Sequence, residues 1–175
     1  MQKSIIASFL AIAALAPAAA FASDGTITIS GTVTAQTCTI NGGTANFTVT
    51  LPKVPAASLA TAGSKAGATP FTIALTGCTA GSGSARAFFE AGPNVDTATG
   101  RLNIAGGGAG NVQVGLATAA GTDINVGAAS GAQNSTYVPI ASGNANLTYL
   151  AQYVATGTAT AGAVTTSVTY TIEFQ

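Results

Sequence analysis

The chain has 175 residues, of which 47% are hydrophobic and only 6% are charged, with five basic and five acidic residues. In an average soluble domain roughly a quarter of the residues are charged. Here Thr, Ser, Asn and backbone groups must provide most of the polar surface instead. The balanced charge leaves no basic patch for a phosphate backbone, which argues against nucleic-acid binding. The chain also has no His and no Trp, so the most common catalytic base is missing.

Residues 1–22 have the pattern of a cleavable secretory signal peptide. Lys3 precedes an apolar run over 5–15, and small residues stand at Ala20 and Ala22. The run is too short to span a bilayer, so we expect cleavage after Ala22 and full export. Removing 22 of the 175 residues leaves 153, with four basic and five acidic side chains and a net charge of minus one. That length is typical of one domain.

The segment 24–37, directly after the predicted leader, alternates strictly between apolar or small residues and hydroxyl residues. Alternation with a period of two predicts a β-strand with one apolar face. Such a strand needs a partner sheet for that face. The residues on its apolar side are Ile27, Ile29, Gly31, Val33 and Ala35.

The two cysteines, Cys38 and Cys78, are separated by 40 residues. Two cysteines in an exported chain predict one disulfide, because the compartment is oxidising. Two free thiols are the alternative. A bridge would tie the end of the segment 24–37 to the end of a later strand.

Alternating apolar residues predict further strands along the rest of the chain, and no apolar period of 3.6 residues follows the leader. Short strands with turn signals about every ten residues are typical of an all-β sandwich. The segment 57–68 is small and polar and is expected to be a loop with one helical turn. The predicted strands are 45–51, 71–78, 86–91, 101–105, 112–116, 123–126, 147–153 and 168–174.

The composition offers no catalytic, cofactor or metal site. The carboxylates Glu90, Asp96, Asp123 and Glu173 stand singly, whereas carboxylate catalysis needs a close pair. No serine has an obvious activating base, and the GGGAG run at 106–110 is not a phosphate-binding loop. We therefore expect a protein that is not an enzyme and that needs no cofactor or metal.

Several of these features together resemble the structural subunits of chaperone–usher fimbriae, of the type 1 major pilin kind. They are the extension GTITISGTV with Gly31 on its apolar face, the spacing of the cysteines, and the segments ASLA and PFTIALTGC between them. The ending also fits, because the family places a glycine fourteenth from the end and an aromatic residue next to last. Here these positions hold Gly162 and Phe174. The family more often has Tyr at the next-to-last position.

The resemblance implies an immunoglobulin-like sandwich that lacks its final strand, formed by residues 38–175, with a donor-strand extension at 23–37. A hydrophobic groove would lie beside the last strand, covered first by a periplasmic chaperone and then, at an outer-membrane usher, by the extension of the next subunit. The protein would thus be a fimbrial subunit that reaches the cell surface through the periplasm and supports adhesion. The implied groove and chaperone-recognition residues are Gly162, Val168, Tyr170, Ile172 and Phe174.

Three alternatives remain at the level of sequence. The segment 24–37 could be an ordinary first strand paired within its own chain. Within the family, the chain could be a minor adaptor subunit instead of a rod-forming major subunit. From another class, a secreted carbohydrate-binding β-sandwich module could share the fold and the polar surface.

Overall fold

The structure, a computed structural model, describes residues 27–30, 37–79 and 83–175. The chain divides into two units, 1–33 and 34–175, and all of the described strands belong to the second. The predicted signal peptide, at 1–22, lies outside the described residues, as do Gly31, Val33 and Ala35 of the predicted extension.

Ten strands and three short 3₁₀ helices form the described part of the chain. The 3₁₀ helices are Asn41–Gly43, Ala56–Leu59 and Ser130–Ala132. The strands are β1 (Thr39–Ile40), β2 (Lys65–Thr76), β3 (Ser84–Phe89), β4 (Val95–Asp96), β5 (Arg101–Asn103), β6 (Val112–Thr118), β7 (Asp123–Ile124), β8 (Val138–Pro139), β9 (Ala145–Ala155) and β10 (Tyr170–Phe174).

These strands build two antiparallel sheets. The larger sheet has the order β1-β2-β9-β6-β5-β4, with β7 paired to β6, and the smaller has the order β10-β3-β8. The long strands β2, β9 and β6 form the centre of the larger sheet, with Ile73 opposite Leu147 and Leu116 opposite Ala151. The predicted all-β sandwich is confirmed.

The core lies where the inward faces of the two sheets meet. Ile73, Leu147 and Tyr149 of the larger sheet and Ala87 and Phe89 of the smaller one are almost fully buried. The Tyr149 and Phe89 rings meet edge to face with centroids 5.2 Å apart, an arrangement that aromatic pairs prefer. The Tyr149 hydroxyl also accepts a hydrogen bond from the Ala87 amide at 2.9 Å, so the two sheets are fixed by polar as well as apolar contacts.

The short strands β1, β4 and β8 were not among the predicted strands, and two longer segments also differ from the sequence-based expectation. Strand β2 already begins at Lys65, inside the segment predicted to be a loop, because a register shift between Ala66 and Thr69 accommodates Gly67 at φ 68°. Conversely, the segment 45–51 was predicted to be a strand and has no ladder partner among the described residues.

The predicted disulfide is confirmed, since Cys38 and Cys78 are bonded, with their Cα atoms 4.1 Å apart. Around it, the Thr79 amide donates to the Thr37 carbonyl at 3.0 Å, and the Thr37 amide donates to the Thr79 hydroxyl at 3.1 Å. The point at which the chain enters the sandwich is therefore fixed covalently and by hydrogen bonds to the end of β2.

Candidate functional site: an open strand edge and its groove

Strand β10 is paired along one edge only. It runs antiparallel to β3, from Tyr170 opposite Phe89 to Phe174 opposite Ala85. The pairing continues past the strand, where Ser84 and Gln175 exchange two backbone hydrogen bonds of 2.9 Å. The other edge of β10 has no strand partner within the described ranges. An open edge of this kind presents unpaired amides and carbonyls to any extended chain that can reach them.

A second segment, 45–54, which is assigned to no helix or strand, contacts the last part of the chain near both of its ends, and we call it the opposite wall. Tyr170 contacts its beginning at Ala45, and Gly162 lines one cavity with Lys53 near its end. The opposite wall and the segment 162–170 therefore run antiparallel to each other. They are joined by side chains and not by a backbone ladder.

Apolar side chains from both segments pack against the main core, and we call them the floor residues. All of these side chains are partly buried and pack against the main core, so they lie between the sandwich interior and the outside. Four of the five predicted groove residues are in this set, and Gly162 stands at its end. The floor residues are Val49 and Leu51 from the opposite wall and Val164, Val168, Tyr170, Ile172 and Phe174 from the last segment.

A cavity of 340 Å³ lies at the end of the groove near Gly162. Its lining is mainly apolar, and it opens next to a second, smaller cluster of buried residues. This volume could accept aliphatic side chains from an incoming strand. The residues that shape it include Val54, Leu59, Val112, Tyr153, Ala159 and Val164.

Gly162 is required by a close backbone approach. A Cβ atom at this position would meet the Gly108 carbonyl carbon at 2.6 Å and the Ala109 Cα at 2.7 Å. The Ala109 amide donates to the Ala163 carbonyl at 2.9 Å, so the 108–109 backbone is held against the last segment. This contact gives a physical reason for a glycine at position 162.

Tyr170 has an additional polar role in the groove. Its hydroxyl donates to the Ala45 carbonyl of the opposite wall at 2.8 Å, and its ring meets the Phe47 ring edge-on with centroids 6.3 Å apart. Burial raises the pKa of the Tyr170 phenol above its ordinary value. Alternation placed Tyr170 on the apolar face of its predicted strand and the resemblance implied a groove role, but neither gave a signal of this hydrogen bond.

The face of β10 away from the core is held by polar side chains. Glu173 accepts hydrogen bonds from the buried Arg86 and from Ser130, and the Thr171 hydroxyl bonds the Glu90 carboxylate. That bond, followed by one from Thr169, lowers the pKa of Glu90. The contacts of Arg86 with Glu173 and Ser130 were not expected from the sequence. A single Arg in the apolar run of β3 was the one available signal of a buried charged side chain.

The described residues of the predicted extension are highly exposed. Ile27 and Ile29 have 88% and 91% of their surface accessible, and among the described residues Phe47 is the next most exposed large apolar side chain at 42%. Each isoleucine would gain free energy if it were buried.

The described residues contain no group of three or more His, Cys, Asp or Glu side chains that could hold a metal ion. In the described ranges, no helix is long and apolar enough to cross a membrane.

The chain is similar in sequence to known fimbrial proteins. The chain is 46% identical over 170 residues to the F17 fimbrial protein of Escherichia coli, covering 94% of each chain. It is 46% identical over 171 residues to the major fimbrial subunit SMF-1 of Stenotrophomonas maltophilia, covering 91% of this chain and 97% of that one.

The fold is shared with a solved pilin. A subunit from the structure of a chaperone–usher pilus superposes with a TM-score of 0.59 at 20% identity, covering 87% of this chain and 96% of that one. The expected immunoglobulin-like pilin fold is thus confirmed. A model of the family described as type-1 fimbrial protein, A matches residues 51–175. The chain belongs to the type-1 fimbrial protein A family, and it is a structural fimbrial subunit of the cell surface and not an enzyme.

Proposed function

We propose that this subunit polymerises by strand addition, in which the segment 23–37 of one copy lies in the groove between β10 and the opposite wall of the next. The observation that carries the proposal is the open edge of β10, bordered by a partly buried apolar floor. The nearly uncovered Ile27 and Ile29 supply the complementary apolar face. Strand addition to an exposed sheet edge is a general mode of peptide recognition.

The lengths of donor and acceptor support this pairing. The alternating donor segment 24–37 and the acceptor segment 162–175 both contain fourteen residues. A strand rises about 3.3 Å per residue, so each would extend over roughly 46 Å. One donor strand can therefore cover the groove from the cavity at Gly162 to the end of β10.

Burial of apolar surface supports the same pairing. Full burial of each exposed isoleucine is worth about 1.5 to 3 kcal/mol, and the incoming strand would supply ladder hydrogen bonds to the open edge of β10.

The same groove needs protection before assembly. An open apolar edge in the periplasm would promote aggregation, so a chaperone strand is the natural first occupant and an outer-membrane usher the natural site of exchange. In this account, residues 1–22 are removed on export, residues 23–37 are the donor strand, and residues 38–175 form the acceptor domain.

We favour the role of a rod-forming major subunit for this chain. The similarity to a major fimbrial subunit covers nearly the full length of both chains, and the donor segment is followed by a single sandwich. A rod built from such subunits would support adhesion by holding the adhesive end of the fibre away from the cell surface. The comparisons do not favour a carbohydrate-binding module.

A size-matched pair of substitutions on the two faces of the donor strand tests the proposal. Gly31→Leu adds bulk to the face that enters the groove and should abolish surface fibres while the chaperone complex still forms. Thr32→Leu adds similar bulk to the outward face and should leave fibres in place. Electron microscopy of cells and co-purification with the chaperone give the two readouts. Normal fibres from Gly31→Leu would contradict strand addition.

A further inference from the structure

We propose that Tyr170 and the opposite wall form a latch that closes the vacant groove and must open before a donor strand from a second copy can enter. This inference rests on the proposed function, since it concerns the same groove. It is carried by the hydrogen bond from the Tyr170 hydroxyl to the Ala45 carbonyl, 2.8 Å long.

The latch crosses the position that the missing strand would take. Neighbouring strands lie about 4.7 to 4.9 Å apart, so a vacancy of one strand leaves its two flanking segments roughly 9.5 Å apart. A tyrosine side chain with one hydrogen bond can span such a gap. The Tyr170 ring packs against the core, and its hydroxyl reaches the backbone of the opposite wall.

Phe47 closes the same place from the other side. Its ring lies between Phe71 of β2, with centroids 6.0 Å apart, and Tyr170, with centroids 6.3 Å apart. Phe47 remains 42% exposed, so it covers the groove without being fixed in the core. Because the opposite wall has no ladder partner among the described residues, its beginning is held by these side-chain contacts.

The latch has a kinetic consequence. A donor strand that enters between β10 and the opposite wall must break the Tyr170 hydrogen bond and displace the Phe47 ring. The bond is lost during entry and is replaced by ladder bonds afterwards. Removing the hydroxyl should therefore speed association more than it changes the stability of the filled groove.

The test measures the association of a fluorescein-labelled peptide of residues 23–37 with the full mature chain. The peptide is kept in large excess over the chain, and binding is followed by fluorescence anisotropy. Tyr170→Phe keeps the ring and removes the donor. The loss of one neutral hydrogen bond from the closed state predicts association about fivefold faster than for the wild type, with an unchanged melting temperature of the peptide complex.

Tyr137→Phe is the matched control. It also removes one phenol hydroxyl, but its ring lies 4.4 Å from the Arg86 guanidinium, outside the groove, and its association rate should equal that of the wild type. An equal or slower rate for Tyr170→Phe would overturn the latch while leaving strand addition intact. Absence of peptide binding to all three proteins would overturn strand addition and the latch with it.

Discussion

The Nη2 atom of Arg86 lies 2.8 Å from Oε2 of Glu173, on the face of β10 opposite its core-packed side chains. The same guanidinium donates to the Ser135 carbonyl at 3.0 Å and to the Ser130 carbonyl at 2.8 Å. One buried cation thus joins β3, β10 and the loop over 130–137. This network holds β10 in place while its other edge is open.

Glu173→Gln should destabilise the subunit by roughly 2 kcal/mol, because it leaves a buried guanidinium without its counter-charge. The figure is set below that for a fully buried pair because the Glu173 side chain is 25% exposed. Urea denaturation of the mature chain measures the change. Asp123→Asn is the control, since the Lys65–Asp123 pair has side chains 38% and 53% exposed, and its loss should cost less than about 1 kcal/mol. Equal losses for the two variants would contradict the role assigned to Arg86.

Gly162→Ala should destabilise the end of the groove by about 1 to 3 kcal/mol, because the added methyl group meets the backbone of Gly108 and Ala109. Thermal unfolding of the mature chain provides the measurement. Gly92→Ala is a suitable comparison, since a Cβ there has no neighbour within 4 Å and should leave the melting temperature nearly unchanged. A Gly162→Ala variant as stable as the Gly92→Ala variant would show that the 108–109 loop moves away freely.

Replacing both Cys38 and Cys78 by Ser should lower stability by about 4 kcal/mol, as the chain-entropy estimate gives for a loop of this length. Without the disulfide, the residues directly after the extension are no longer bonded to the end of β2. We expect a lower periplasmic yield and a lower melting temperature. If both quantities matched those of the wild type, the bridge would be dispensable for folding.

The loss of folding stability at acidic pH should depend on Asp96. Hydrogen bonds from Gln113 first, then from Thr99, lower the pKa of the Asp96 carboxyl below its ordinary value of 3.8. A lowered folded pKa means that the stabilisation is present above the unfolded pKa and is lost as the pH falls through the folded one. Asp96→Asn should therefore lose stability near neutral pH and show a shallower decline between about pH 5 and pH 2. Parallel stability profiles for the two proteins, measured by urea denaturation across that range, would contradict this.

Local patterns predicted the strands and the disulfide because the signals lie within short stretches. Alternation located β6, β9 and β10, and two cysteines in an exported chain could form only one intramolecular bridge. The segment 45–51 alternates equally well, yet it has no ladder partner among the described residues. Alternation reports which face is apolar and carries no information on whether a neighbouring strand is present.

The polar contacts around the groove could not be predicted, because each joins residues far apart in sequence. The Tyr170 hydroxyl reaches Ala45 across 125 positions, and Arg86 reaches Glu173 across 87. Both tyrosine and arginine were visible in the sequence, but their partners depend on how the two sheets stack. Gly162 is an intermediate case, since its position was recognised by resemblance and its reason, the approach of the 108–109 backbone, required the structure.

The most direct test of strand addition adds a peptide of residues 23–37 to a purified subunit that begins at Cys38 and follows its thermal unfolding. A ligand that binds only the folded state raises its stability by mass action, so at saturating peptide we expect the melting temperature to rise by more than about 10 °C. The same peptide carrying Gly31→Leu should give little or no rise. An unchanged melting temperature with the natural peptide would contradict the account, because the groove beside β10 would then have no affinity for the strand proposed to fill it.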